Sequence, residues 1–283
     1  MAEVTGDRSF KEALSTLERY APKGTDLVEV SKRWLTVVRA TGGPGDGWPV
    51  DHDAAAFLIA RVLHHDAPLV LEVGCGTGYS GGCMAMAAEI RGGVVVSFDS
   101  DPKFEEIARA NLARMPWASL IEVVHIDPTK PEDYQVHMGA VPDIVFIDSD
   151  DWCRSQVYSA VGAAGFIQPE TEVYLHDAHR AQEGAILAGI RQEFPGVETG
   201  LVLVEGRGVA MIRHEHGFKS GKHALEFVAD TKIVCPDCGG TGFVGGIYSG
   251  APNCTRCGTT GVIADVIADE PKSDEPKRRK ASK

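Results

Sequence analysis

"LEVGCGTGYS", residues 71–80, is an apolar run that breaks into three closely spaced glycines. The run "PLVLEVG" (68–74) predicts a short buried strand, and "YSGGCMAMAAEIR" (79–91) predicts a helix diluted by two glycines. Such a strand–turn–helix unit points backbone N–H groups at anything polar or anionic above the turn. A dinucleotide site asks for G-x-G-x-x-G. Here Gly74, Gly76 and Gly78 form G-x-G-x-G, and Tyr79 stands where the third dinucleotide glycine is needed. A bulky ring at a place of close approach counts against a nicotinamide cofactor.

The elements around this turn alternate. Strands are predicted at 93–99, 119–127, 142–149 and 171–177, with helices at 101–115, 152–166 and 179–194 between them. Two final strands, 198–206 and 208–215, are joined by a short glycine turn. Alternating β and α elements imply a parallel sheet covered by helices on both faces. A terminal hairpin makes it a mixed sheet with one antiparallel member. The expected fold is therefore α/β, a Rossmann-like seven-stranded sheet. Helices at 9–21, 25–40 and 51–65 form an N-terminal helical addition, with Asp51 or Asp53 as a cap for the third. Domain limits follow: helical region 1–65, ligand-binding domain 66–216, linker 217–231, cysteine module 232–263, charged tail 264–283.

Glu72 lies inside the first strand, and a buried carboxylate asks for a cationic or donor partner. A ligand ammonium would supply one. Asp99 ends the second strand, where an acid can accept both ribose hydroxyls. A ligand with an amino group and a ribose, and no pyrophosphate, describes S-adenosylmethionine. The contacts are expected on Glu72, on the turn Gly74, Cys75, Gly76, Thr77 and Gly78, and on Asp99, Ser100 and Asp148.

At these residues the chain resembles class I S-adenosylmethionine-dependent methyltransferases. "LEVGCGTG", "SFDSDP", "HIDP" and "DIVFIDSDD" are similar to their successive motifs, over roughly residues 50–215. "DIVFIDSDDW" followed by "VYLHDAH" is similar to small-molecule O-methyltransferases. The resemblance implies that the three glycines approach the methionine part, that Asp99 holds the ribose and that Asp127 lies near the adenine. It implies a small-molecule acceptor methylated on oxygen.

Ligands of open α/β sheets sit beyond the carboxyl ends of the strands. The fourth strand ends in Asp148, Asp150 and Asp151, and the fifth in His176 and Asp177 with His179 beyond. Asp148, His176, Asp177 and His179 are the catalytic candidates, in either of two roles. Asp148 and Asp177 could hold Mg2+ or another divalent cation that acidifies a bound hydroxyl. Metal-dependent relatives carry an Asp–Asn pair where this chain has His176–Asp177, a departure that would tolerate a softer metal. Alternatively, His176 or His179 removes the acceptor's proton with no metal. Asp150, Asp151 and Asp177 could equally be helix caps, and Trp48 follows a glycine-rich loop that could serve as a lid.

Cys235-x2-Cys238-x15-Cys254-x2-Cys257 has the spacing of a four-thiolate zinc site, which has no open coordination position and is structural. "CPDCGGTG" (235–242) and "CTRCGTTG" (254–261) resemble repeats of the DnaJ-type chaperone zinc-binding domain, the second with Thr259 at a glycine position. Two repeats make half of that domain, so chaperone activity is not carried over. The module would recognise a protein partner or staple the C-terminal extension. An alternative function is a zinc-knuckle protein- or nucleic-acid-binding module whose α/β domain methylates the bound partner or only scaffolds.

The net charge of −12 counts against a phosphate-backbone ligand. No apolar run reaches the roughly 18 residues of a membrane span, and the first 20 residues lack a signal-like stretch. A cytoplasmic protein is expected, open to homo-oligomer formation. The segment 270–283 holds no large apolar residue and is expected to be disordered.

Overall fold

The computed structural model describes residues 8–44, 50–150, 153–178, 181–194, 197–204 and 206–214, with three isolated two-residue strands further on. Three helices come first: α1 (Arg8–Tyr20), α2 (Leu27–Thr41) and α3 (His52–Leu63). The alternating part then runs β1 (Leu69–Val73), α4 (Tyr79–Arg91), β2 (Val94–Asp99), α5 (Pro102–Leu112), β3 (Ile121–His125) and α6 (Pro131–His137). It continues with β4 (Ile144–Ile147), α7 (Arg154–Ala163), β5 (Glu172–His176), α8 (Ala181–Glu193), β6 (Val197–Leu203) and β7 (Val209–His214). The sheet order is β3-β2-β1-β4-β5-β7-β6. Strands β1 to β5 pair in parallel, and β7 is antiparallel to both of its neighbours.

The mixed seven-stranded sheet is as expected, with one addition. A two-residue strand β8 (Val228–Ala229) pairs outside β6, inside the segment expected to be a linker. Helix α6 was not anticipated. "PEDYQVH" buries only Tyr134, so it carries no apolar periodicity to read. The two-residue strands β9 (Ile233–Val234) and β10 (Val262–Ile263) pair antiparallel on either side of the cysteine segment. The four cysteines themselves, with Trp48, Asp151, His179 and the tail, lie outside the described residues.

Strand alternation divides the core in two. Val70, Phe146 and Tyr174 face α1 to α4, while Leu71, Val145, Ile147, Val173 and Leu175 face the opposite helical layer. Helix α3 is buried on nearly every side, and its alanines let it pack closely on the sheet. Its single buried cation, Arg61, is ion-paired with Glu172 of β5 and donates to the Tyr174 hydroxyl at 3.0 Å. This pair ties the helical addition to the sheet. Tyr79, the residue that breaks the dinucleotide spacing, is buried. Its hydroxyl accepts from Trp34 Nε1 at 3.0 Å and meets His52 Nδ1 at 2.7 Å, locking α2 and α3 to the start of α4.

Candidate active site

The glycine turn is built for two different reasons at its first two glycines. Gly74 has φ +101°, and a Cβ there would stand 2.3 Å from the Asp148 carbonyl oxygen. It is a glycine because the ends of β1 and β4 nearly touch. Gly76 has φ +48° and open space where its Cβ would be. That openness is what a ligand approaching the backbone requires. The Gly76 amide donates to Asp99 Oδ2 at 3.0 Å, and the Asp101 amide donates to Asp99 Oδ1 at 2.9 Å. Asp99 thereby shapes the turn, and each of its oxygens keeps acceptor capacity for a ligand hydroxyl.

Glu72 is placed differently from expectation. Its side chain is wholly enclosed between β1, β2 and α4, and it accepts hydrogen bonds from Ser80 Oγ and Ser97 Oγ. Its partners are hydroxyls of the chain itself, so no ligand ammonium is needed to explain it. Gly81 makes room for it, since a Cβ there would lie 2.6 Å from Glu72 Oε2. Burial raises the Glu72 pKa to about 7, against the two serine hydrogen bonds that lower it. An acid whose folded pKa lies above its unfolded value near 4.5 loses stability as pH rises between the two. Glu72→Gln should therefore flatten the fall in stability between pH 4.5 and 7, read as melting temperature against pH.

Asp127 is exposed. Its carboxylate accepts from Thr129 N at 3.1 Å and Thr129 Oγ1 at 2.7 Å, an Asx turn that accounts for an acid before Pro128. Cys75 is buried, and burial pushes its thiol far up, away from reactivity. Asp150 is exposed, and it is Cys153, with no side-chain cap, that begins α7.

The strand-end residues do converge. Asp148 N donates to Val73 O at 2.8 Å, which sets Asp148 beside the glycine turn. His176 Nδ1 is 3.0 Å from Asp148 Oδ1, and its Nε2 faces Asp51 Oδ2 at 4.0 Å, an ionic contact too long for a hydrogen bond. Burial works against the charge on His176. Asp148, Asp51 and Asp177 outweigh it and raise the pKa to about 9. His176 is thus an imidazolium at neutral pH and cannot serve there as the base expected of it. Asp177 adopts φ +62°, one of two non-glycine residues at positive φ among those described, a strain that collects at functional sites.

Three further residues complete the group. Asp51 caps α3 by accepting from Ala54 N at 2.8 Å, and its Oδ2 also accepts from Arg207 N at 2.6 Å. Arg154, buried in the first turn of α7, lies 3.4 Å from Asp148 and 3.5 Å from Asp177. Arg207, in the β6–β7 turn, faces both Asp177 oxygens, Nε in ionic contact with Oδ1 at 2.5 Å and Nη2 donating to Oδ2 at 2.8 Å. Asp51 was legible only as a cap. Arg154 could have been noticed as a cation six residues after Asp148. Arg207 carried no signal, because the pairing of His176 with Val209 is what brings it to Asp177.

Asp148, His176 and Asp177 present ligand atoms all within 4.8 Å of one another, a span a divalent ion could bridge. The donor set does not fit one as it stands. Asp177 Oδ2 accepts from Arg207, whose Nε also lies in ionic contact with Oδ1, and Asp148 Oδ1 is shared between His176 and Arg154. The expected cation on Asp148 and Asp177 gives way to guanidinium groups.

The first 36 residues and the cysteine region fall outside the family match. Residues 37–161 match the O-methyltransferase family. The matched span runs from α2 through the glycine turn and β4 into α7. In fold, the chain is similar to the S-adenosylhomocysteine-bound methyltransferase PaMTH1 of Podospora anserina, with a TM-score of 0.55 at 14% identity over 76% of this chain and 97% of that one. It is also similar to an O-methyltransferase from Bacillus cereus in complex with S-adenosylhomocysteine, with a TM-score of 0.53 at 20% identity over 70% and 99%. No curated protein matches the sequence. No helix among the described residues is long and apolar enough to cross a membrane.

Proposed function

We infer that this chain transfers a methyl group from S-adenosylmethionine to an oxygen atom of a small-molecule acceptor. It is an S-adenosylmethionine-dependent O-methyltransferase. The observation that carries the reading is the turn at Gly76, open on its ligand side and lipped by Asp99, inside the span that matches the O-methyltransferase family. The two solved relatives described above hold the demethylated product of that donor.

In this reading the donor lies across Gly74–Gly78, with its ribose against Asp99 and Ser100, its adenine toward Asp127 and its methyl group above Asp148. The acceptor oxygen attacks the methyl carbon in line with the sulfur. The new carbon–oxygen bond forms as the carbon–sulfur bond breaks, and that electron pair returns to sulfur as a neutral thioether. The acceptor's proton passes to Asp148, whose side chain keeps 11% of its surface exposed at the rim. His176 and Asp177 position Asp148 and its neighbours and take no part in the proton transfer. Calorimetry should show heat on adding S-adenosylmethionine or S-adenosylhomocysteine, with Asp99→Ala weakening both at least tenfold. Asp148→Asn should bind the donor as tightly and lose roughly 10²-fold or more in methyl transfer. Folded protein that gives no heat with either nucleoside overturns the reading.

We further propose that Cys235, Cys238, Cys254 and Cys257 hold one structural zinc ion. The pairing of β9 with β10 supports it, since it draws the two ends of the cysteine segment together. Elemental analysis of the purified full chain should find one zinc per molecule.

A further inference from the structure

The rim of β4 and β5 carries an uncommon arrangement of charge. Three carboxylates, Asp51, Asp148 and Asp177, meet the guanidinium groups of Arg154 and Arg207 and the ring of His176. Asp148 and Asp177 each already face a guanidinium group. A site that recruits a divalent ion has the opposite character: its carboxylates face the open position with no fixed cation against them, and the incoming ion offsets them. Here an ion approaching Asp148 and Asp177 would meet two guanidinium groups already within 3.5 Å of the same oxygens.

The two arginines are held in different ways. Arg154 is buried and fixed by backbone carbonyls, with Nε donating to Ser149 O at 2.7 Å and Nη1 donating to His176 O at 2.9 Å. It cannot swing aside without leaving those carbonyls unpaired. Arg207 keeps a quarter of its side chain exposed; its Nη2 donates to Asp177 Oδ2 at 2.8 Å, and its Nε lies in ionic contact, not a hydrogen bond, with Oδ1. Its own amide donates to Asp51, so the β6–β7 turn is strapped to both the start of α3 and the end of β5. Asp177 is kept in its left-handed backbone conformation within that strap.

We propose that Arg154 and Arg207 take the place of a divalent cation at the ends of β4 and β5, making this site metal-independent. Fixed guanidinium groups can do part of what a metal does: they hold the carboxylates in place and keep the rim from repelling an acceptor oxygen that gains negative charge. They do so with no open coordination position. The inference concerns the charge of the site and does not depend on the acceptor reading.

The probe is Mn2+, titrated into the full chain and followed by the electron paramagnetic resonance signal of the free ion. A melting curve taken with Mn2+ and with a chelator runs alongside. The wild-type chain should leave the Mn2+ signal unchanged into the millimolar range, and its melting temperature should be the same in both media. Arg207→Ala removes one guanidinium from a surface turn and should bind Mn2+ at least tenfold more tightly than wild type. Arg207→Gln, which keeps the side chain's bulk, should do the same if the alanine variant folds poorly. Asp177→Asn in the Arg207→Ala background should abolish the gain. Wild-type binding that survives Asp177→Asn lies elsewhere and supports the proposal. Tight wild-type binding, one ion per chain, that Asp177→Asn removes would overturn it, as would folded Arg207 variants with no gain. None of these readouts requires methyl transfer, so the proposal and the functional reading fail separately.

Discussion

Arg61→Met should be the most damaging single change outside the cleft. Arg61 and Glu172 are both nearly inaccessible, and the Tyr174 hydroxyl completes the group by donating to Glu172 at 2.7 Å. Burial alone would raise the Glu172 pKa. His65 and Arg61 together hold it at about 2 instead. Removing the guanidinium leaves a carboxylate sealed between α3 and β5 with only the half-buried His65 ring beside it, at 3.5 Å. Breaking a buried ion pair in this way costs roughly 3–5 kcal/mol. For a folded unit of about 200 residues each kcal/mol is roughly 2–4 °C, so the melting temperature should fall by about 6–20 °C. Replacing both partners with apolar residues, Arg61→Met with Glu172→Leu, should recover more than half of the loss, because no charge is then stranded. The pH profile carries the same information. A carboxylate depressed to about 2 contributes stability that is full above its unfolded value near 4.5 and is lost as pH falls through 2. In Arg61→Met that contribution should be missing at every pH. A single variant that melts within 2 °C of wild type would show that the pair does not anchor α3.

The second large effect belongs to Gly74→Ala. The new methyl group would stand 2.3 Å from the Asp148 carbonyl oxygen and 3.0 Å from the Ser149 amide nitrogen, both backbone atoms of a central strand end. Neither can give way without moving β4. The positive φ adds roughly 1–2 kcal/mol of backbone strain to that displacement. The expected outcome is a drop in stability of at least about 3 kcal/mol, the level of severe core disruption. Affinity for S-adenosylmethionine should fall with it, since Asp148 and the turn move apart. Gly76→Ala is the contrast. Nothing lies within 4 Å of its Cβ, so stability should fall only by the strain of φ +48°, about 1–2 kcal/mol. Its methyl group would project into the space the ligand needs, and donor affinity should fall at least as far as in Gly74→Ala. Melting curves and calorimetry on the two variants separate a glycine kept for chain packing from one kept for ligand approach. Equal stability in the two would refute that division of roles.

Asp51, Asp148 and Asp177 come from three separate elements, and each is held by at least one cationic side chain or backbone amide. Losing one cation leaves an acid unpaired near the reacting atoms. The proposed reaction centre and the scaffold therefore share parts: the cap of α3, the first turn of α7 and the tip of the β6–β7 hairpin all end on the same rim.

The features the sequence by itself determined are local ones. Short apolar runs ended by glycine, proline or an acid marked all seven long strands, because strands such as β4 and β5, buried on both faces, need no partner information to be recognised. The glycine turn, the strand-end acids and Tyr79's conflict with a dinucleotide were equally legible, since each depends on residue type at fixed spacing. Helix α6 escaped because seven residues with one buried side chain show no period. Tertiary structure alone decided how charges were paired. Glu72 reads as a carboxylate awaiting a ligand until Ser80 and Ser97, 8 and 25 residues away, close around it. His176 reads as a base until Asp51 and Asp148 hold it as a cation. Arg207 reads as a turn residue until strand register delivers it to Asp177. Periodicity is a property of neighbours in the chain. Electrostatic balance depends on neighbours in space, and only the folded sheet assigns those.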